Sequence, residues 1–355
     1  MDGFKQLVDE TSNIKDEVVR CHTNLKNKLS RKGVQISDTD KMSELIEKID
    51  EVNSNLPNWV ISSKTDYWLD AKNMPTIRTS LTSSSVNGKI YCIGGYGISN
   101  DELNINECYD TNTNRWTTKA NMPTARANLS SSSVNGKIYC IGGELGGSFG
   151  SGILSKNECY DTATDVWTTK ANMPTARDYF SSSVVNNKIY CIGGERKGDV
   201  YKPIVKNECY DTSTNTWTTK ANMPTATYML TSNSVNGKIY CIGGEDNTDA
   251  GQANINQCYD TKTNTWTTKM SMISGAKELV SGRIKDNIYC IGGRQGNDGY
   301  INKNQCYNTS TNTWTTKANM PTARARLTSS SVGNNIYCIA GNNTGKIANN
   351  ECYIV

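Results

Sequence analysis

Met74-Pro75-Thr76-Ile77-Arg78-Thr79-Ser80-Leu81-Thr82-Ser83-Ser84-Ser85-Val86-Asn87-Gly88-Lys89-Ile90-Tyr91-Cys92-Ile93-Gly94-Gly95 is one half of a unit that this chain repeats. The other half follows an 11-residue loop: Glu107-Cys108-Tyr109-Asp110, the turn Thr111-Asn112-Thr113-Asn114, and Arg115-Trp116-Thr117-Thr118-Lys119. Thr79 to Val86 is small and rich in hydroxyls, and reads as an extended first strand. Asn87-Gly88 is a two-residue hairpin signal, because both residues tolerate positive φ. Lys89 to Ile93 is apolar on both faces and forms a second strand. Gly94-Gly95 ends it where another backbone must come close. Glu107 to Asp110 and Arg115 to Lys119 complete a four-stranded antiparallel meander.

The unit recurs six times. Trp68, Trp116, Trp167, Trp217, Trp266 and Trp314 are spaced by 48, 51, 50, 49 and 48 residues. Each is followed 26 residues later by a small pair, which is Gly-Gly in five repeats and Ala340-Gly341 in the last. One such sheet cannot bury both of its faces. Six placed radially bury each sheet between its neighbours. The chain ends on Glu351-Cys352-Tyr353, a third strand with no fourth after it, whereas Trp68 belongs to a fourth strand with nothing before it. The N-terminal strand is therefore expected to complete the last blade.

The order Gly-Gly, then Tyr, then Trp about seven residues on, then Met-Pro resembles the kelch motif. The resemblance runs through some 300 of the 355 residues, departing at Ala340 and at Met272-Ile273. It implies an all-β, six-bladed kelch-type β-propeller over residues 57–355.

Residues 1–56 differ in character. They carry 9 Lys and Arg against 11 Asp and Glu, a net −2, which leaves 29 against 23, or +6, on the repeats. That diffuse excess does not argue for nucleic acid. Phe4, Leu7, Ile14, Val18, Cys21 and Leu25 fall on a three–four alternation that predicts a narrow-seamed helix over about 3–30. Met42, Leu45, Ile46 and Ile49 stripe a second helix. So narrow a seam suits packing against other copies, a trimer first or else a dimer. The stretches 29–34 and 40–49 resemble segments of structural tail proteins from phages and prophages of clostridia and related bacteria. The resemblance implies contacts with other tail or baseplate proteins through 1–56. No run of about 18 apolar residues predicts a membrane span. The start, Met1-Asp2-Gly3-Phe4-Lys5, lacks the apolar core of a secretion signal. The expected location is therefore a particle tail assembled in the cytoplasm, or else the cytoplasm itself.

Twelve of the thirteen cysteines occupy two strand positions of the repeat and read as buried thiols acting as small hydrophobes. Cross-strand disulfides are the alternative. No Cys-x-x-Cys occurs and His22 is the only histidine, so neither a metal nor a cofactor is expected. Asp246-Asn247-Thr248-Asp249 could hold calcium but lacks the EF-hand pattern and reads as a polar turn.

In a radial meander, the hairpin turns lie on one side of the disc and the longer connections on the other. The first side is uniform: Val-Asn-Gly-Lys-Ile-Tyr stands at 86–91, 134–139 and 235–240. The second side varies, and its loops carry Tyr96, Phe149, Tyr179, Tyr201, Tyr228 and Tyr300, stiff amphipathic contact residues. Arg78, Arg126, Arg177 and Arg324 follow Met-Pro-Thr-Ala/Ile in four blades that are adjacent around the ring. They are expected to form a crescent at the mouth of the axial channel, facing Glu144, Glu195 and Glu245, which follow the glycine pairs. Kelch domains often use Arg at this position for ligands, so the resemblance supports a pocket for an anionic or polyhydroxylated ligand. The alternative is Arg–Glu pairing between neighbouring blades. On the crescent reading, Arg126→Ala with Arg177→Ala removes binding without unfolding the protein.

These features imply a non-catalytic receptor-binding protein of a phage tail or phage-derived particle. Its expected ligand is a cell-surface glycan or a teichoic-acid-like polymer. One alternative is an intracellular kelch scaffold that binds a protein. A second is a carbohydrate-active kelch enzyme, although no histidine is available as a base or copper ligand in the repeats.

Overall fold

The computed structural model describes residues 65–146, 152–196, 202–246, 254–296 and 299–355. The helices expected within 1–56, and the oligomer expected from them, lie outside the described residues, among which no helix occurs. Six four-stranded antiparallel sheets form the blades. Blade one comprises Thr82–Val86, Lys89–Ile93, Asn106–Asp110 and Arg115–Lys119. Blades two to five repeat that order. Blade six takes Thr328–Val332, Asn335–Asn342 and Lys346–Ile354 from the C-terminus, and its fourth strand is Tyr67–Ala71, with Trp68 opposite Tyr353.

The core lies between blades rather than within them. Six apolar clusters each join one blade's second and third strands to the next blade. One contains Tyr91, Ile93 and Cys108 with Ile138, Cys140 and Tyr160. The cluster holding Tyr337, Ile339 and Cys352 with Ile90, Cys92 and Tyr109 shuts the ring. The twelve described cysteines are buried and unbridged, and burial pushes the Cys92 thiol up to about 12.

At the outer rim, each of the six repeat Trp residues and one turn residue clamp a single peptide of the preceding blade. Trp167 Nε1 donates to Ala120 O at 2.8 Å, and Ala120 N donates to Asp165 Oδ1 at 2.9 Å. Trp68 and Asp66 hold Ala318 the same way, at 2.8 and 2.7 Å. Nearest the axis, the first strands are small because space is least there. Their hydroxyls bond around the ring, as in Thr82–Ser131 and Ser130–Ser182, both 2.8 Å.

The glycine pairs mark where the neighbouring blade's backbone enters. A Cβ on Gly94, at φ 68°, would lie 2.6 Å from Arg126 O. Where Ala340 replaces this glycine, a bulge interrupts the strand pairing. The bond from Gly341 N to Arg78 O stretches there to 3.4 Å, against 3.0 Å for Gly95 N to Arg126 O.

The first strand is shorter than its sequence suggests. It begins at Thr82, not Thr79, because Ser80 turns left-handed at φ 56°. That departure recurs in every blade and builds the site.

Candidate ligand-binding site

Six residues at the same repeat position adopt positive φ: Ser80, Asn128, Tyr179, Met229, Glu278 and Arg326. None is glycine, so each is held there by its surroundings. Their peptides bond head to tail around the axis. Asn128 N donates to Ser80 O, Tyr179 N to Asn128 O and Met229 N to Tyr179 O. Glu278 N donates to Met229 O, Arg326 N to Glu278 O and Ser80 N to Arg326 O, all within 2.8–3.2 Å. This closed collar constricts the channel. Leu81, Leu129, Phe180, Leu230, Leu279 and Leu327, the next residues, line a small apolar space beside it.

On the loop side of the collar is a cavity of about 490 Å³. Its wall is built from the residue after each small pair: Tyr96, Glu144, Glu195, Glu245, Arg294 and Asn342. Each pairs as an isolated bridge with the residue preceding the collar, for example Asp178 with Glu195 and Lys277 with Arg294. Carboxylates therefore crowd blades two to four, and cations gather on blades five and six, where Lys346 joins them.

Most of these groups are bonded to one another. Lys277 Nζ reaches Glu245 Oε2 at 2.8 Å, and Arg326 Nη2 reaches Glu278 Oε1 at 2.8 Å. Tyr96 OH donates to Glu144 Oε1 at 2.6 Å. Lys346 Nζ donates to Asn100 Oδ1 at 2.7 Å. Tyr179 and Tyr228 meet edge-to-face, 6.4 Å between centroids. Asn342 Nδ2 donates to Tyr300 OH at 2.8 Å, and the Arg294 guanidinium lies 5.5 Å from the same ring.

Glu195 differs. The residue is nearly buried, at 4% exposure, and among the described residues its Oε2 has no hydrogen-bond partner. Burial, then Glu144 and Glu245, push its carboxyl up to about 7. Behind it, Asp178 is 1% exposed and is pushed up to about 9 by burial, then by Glu195 and Glu144.

A carboxyl whose folded pKa lies above its unfolded value contributes stability below the unfolded pKa, and loses it as pH rises through the folded one. Asp178 should therefore cost stability progressively between about pH 4 and pH 9. Asp178→Asn is expected to flatten that slope, with its largest gain in stability at pH 9. Melting temperatures of both proteins at pH 5, 7 and 9 check this; parallel curves would mean that Asp178 carries no proton in the fold.

The arginine crescent is absent. Arg78, Arg126, Arg177 and Arg324 are fully buried inside their own blades, none facing the cavity. Arg126 donates to Gly142 O and Cys140 O at 3.0 Å and pairs with Glu158 at 2.9 Å. Arg78, Arg177 and Arg324 pair with Glu107, Glu208 and Glu351 at 2.8, 3.0 and 2.7 Å. Nor is the pairing the inter-blade one weighed as the alternative, since each partner sits on the third strand of the same blade. Desolvation lowers the pKa of Arg78, Arg126 and Arg177. Among the expected site residues, Tyr96, Tyr179, Tyr228, Glu144, Glu195 and Glu245 line the cavity. Tyr300 touches its wall through Asn342. Phe149 and Tyr201, and most of the 246–249 turn, lie outside the described residues. Sequence reasoning missed Lys277, Glu278, Arg294 and Arg326, although aligning the repeats places them in register with residues it chose.

A family model described as the KLHDC2/KLHL20/DRC7 Kelch-repeats domain matches residues 58–229 and 229–355. Kelch-like protein 7 of Rattus norvegicus, and that of Homo sapiens, are each 50% identical over 130 residues, 37% of this chain and 22% of theirs. The matched stretch is thus about a fifth of those relatives' length. A solved structure titled "Structure of YjhT" superposes with a TM-score of 0.68 over 79% of this chain and 95% of its own, at 18% identity, a likeness of fold. Repeat pattern, blade architecture and family model agree, and the chain belongs to the Kelch-repeat family.

Proposed function

We propose that this propeller is a non-catalytic recognition module whose loop-face cavity holds a polyhydroxylated ligand, a unit of a cell-surface glycan. The observation that carries the reading is the cavity itself. About 490 Å³ suits a small-molecule site. Carboxylates, cations and tyrosines converge on it. Carboxylates accept from sugar hydroxyls, cations donate to them, and tyrosine rings offer faces for the apolar side of a pyranose. A purely anionic, teichoic-acid-like polymer is the weaker choice, because the four arginines that would have drawn it are buried in ion pairs. On this reading residues 1–56 tether the module to a phage tail or phage-derived particle, as their sequence resemblance suggests. A scaffold that binds protein is the second reading. The similarity to Kelch-like protein 7 favours it, and so do the exposed Ile98 and Leu145 on the variable loops.

The full chain should bind carbohydrate on an array and by calorimetry. Glu144→Ala with Tyr179→Ala should weaken that binding at least tenfold, since a buried polar contact and an aromatic platform are both lost. The melting temperature should fall, because both side chains also hold neighbours in the cavity wall, so affinity is compared per folded molecule. A chain that retrieves a protein and ignores every glycan would overturn this reading in favour of the scaffold.

A further inference from the structure

The charge in the cavity is unevenly satisfied. Every cavity cation whose bonding is described already has an oxygen partner. Lys277 has Glu245, Arg326 has Glu278, and Lys346 has Asn100 together with Gly97 O. On the acidic side, Glu144 accepts from Tyr96 and Asn128. Among the described residues, Glu195 Oε2 accepts from neither a side chain nor a backbone amide, yet Glu195 is 4% exposed and lines the cavity. Glu144 and Glu245 flank it around the ring, and Asp178 stands behind with an unpartnered Oδ1.

We propose that Glu195 is the seat of a protonated primary amine, so that the cavity selects an amino sugar whose amine is free rather than acetylated. This rests on the glycan-binding reading and names the chemistry of its ligand. A buried carboxylate without a partner is unfavourable, and it either takes a proton or recruits a cation. An ammonium carries three donors and no acceptor. It can therefore satisfy Glu195 and reach toward Glu144 in the same step. Tyr179 and Tyr228 line the adjoining wall, and their ring faces favour a nearby cation. The cations of blades five and six lie across the cavity, where ring hydroxyls of the same sugar can accept from them. Acetylation would remove both the charge and two of the donors, and leave Glu195 unmatched.

Calorimetry on the full chain at pH 7 tests this with three probes of equal length: chitosan tetrasaccharide, its fully N-acetylated counterpart and cellotetraose. The expected result is chitosan tetrasaccharide bound at least tenfold more tightly than the other two. Glu195→Gln, which keeps the shape and is expected to fold, should remove that preference, bringing chitosan tetrasaccharide to within twofold of the acetylated probe. Equal or stronger binding of the acetylated probe would overturn the amine proposal and leave the glycan reading standing. Failure of all three probes would overturn both, and so would failure accompanied by Glu195-dependent binding of an oligolysine peptide. Binding of calcium chloride alone, lost in Glu195→Gln, would make this a cation site and overturn the proposal.

Discussion

Arg126→Ala is expected to destabilise the propeller by about 3–5 kcal/mol, because it strands Glu158 without its counter-charge in the blade interior. Three hydrogen bonds, to Gly142 O, Lys156 O and Cys140 O, go with it. The chain itself contains the compensating change. Where Arg gives way to Thr227 and Ala276, the partner position holds Gln257 and Gln305 in place of Glu. Each glutamine then bridges the adjoining backbone: Thr225 N and Ser274 N donate to their amide oxygens at 3.0 Å. Gln305 Nε2 donates back to Ser274 O at 3.0 Å. Arg126→Ala with Glu158→Gln should therefore recover most of the loss, leaving about 1–2 kcal/mol for the void and the bonds not replaced. Urea unfolding of the single and double variants checks this. If both lose the same amount, the stranded charge is not the cause. In the double variant, ligand affinity per folded molecule should be unchanged, the reverse of what a crescent at the channel mouth requires.

That covariation shows what was legible and what was not. The repeat, the blade number and the small-residue pairs follow from spacing and from turn chemistry that few residues satisfy. Glu in Asn-Glu-Cys-Tyr and Gln in Asn-Gln-Cys-Tyr can also be matched blade by blade to Arg and to Thr or Ala. That match turns the arginines inward on the strength of residue types alone. The collar had no such signal. Its six positions hold Ser, Asn, Tyr, Met, Glu and Arg, and no residue type there announces a left-handed backbone. The turn is imposed by the ring of inter-blade hydrogen bonds, which exists only after the blades assemble. It reverses the chain so that the arginine two positions earlier points into its blade, while Tyr179, Glu278 and Arg326 reach the cavity. Register within the repeat, rather than residue character, determines membership of the site.

Trp68→Ala is expected to accelerate unfolding at least tenfold more than Trp217→Ala, although the two side chains make matching contacts. Trp68 lies 5.1 Å from the Tyr353 ring and donates to Ala318 O at 2.8 Å; Trp217 lies 5.0 Å from Tyr210 and donates to Ala171 O at 2.8 Å. Each truncation should remove about 3 kcal/mol of local packing and hydrogen bonding. What differs is connectivity. The strand of Trp217 is joined to its partner by a tight turn, and rejoins it quickly after fraying. The strand of Trp68 is bound to a partner far away in the chain, as in the Tyr353 OH bond to Asp66 Oδ1 at 2.6 Å across 287 residues. Re-forming that contact from an opened ring carries the entropy of closing a very long loop. Once Tyr67–Ala71 leaves, Lys346–Ile354 becomes a bare edge and the cluster between blades five and six loses its Trp68 cover. Blade six should then open first. Stopped-flow unfolding compares the rates, and limited proteolysis should cut near Lys72 sooner in Trp68→Ala than in the wild type. Equal rates for the two variants would place the weakest seam elsewhere, and make the two-ended blade no easier to open than one drawn from a single stretch of chain.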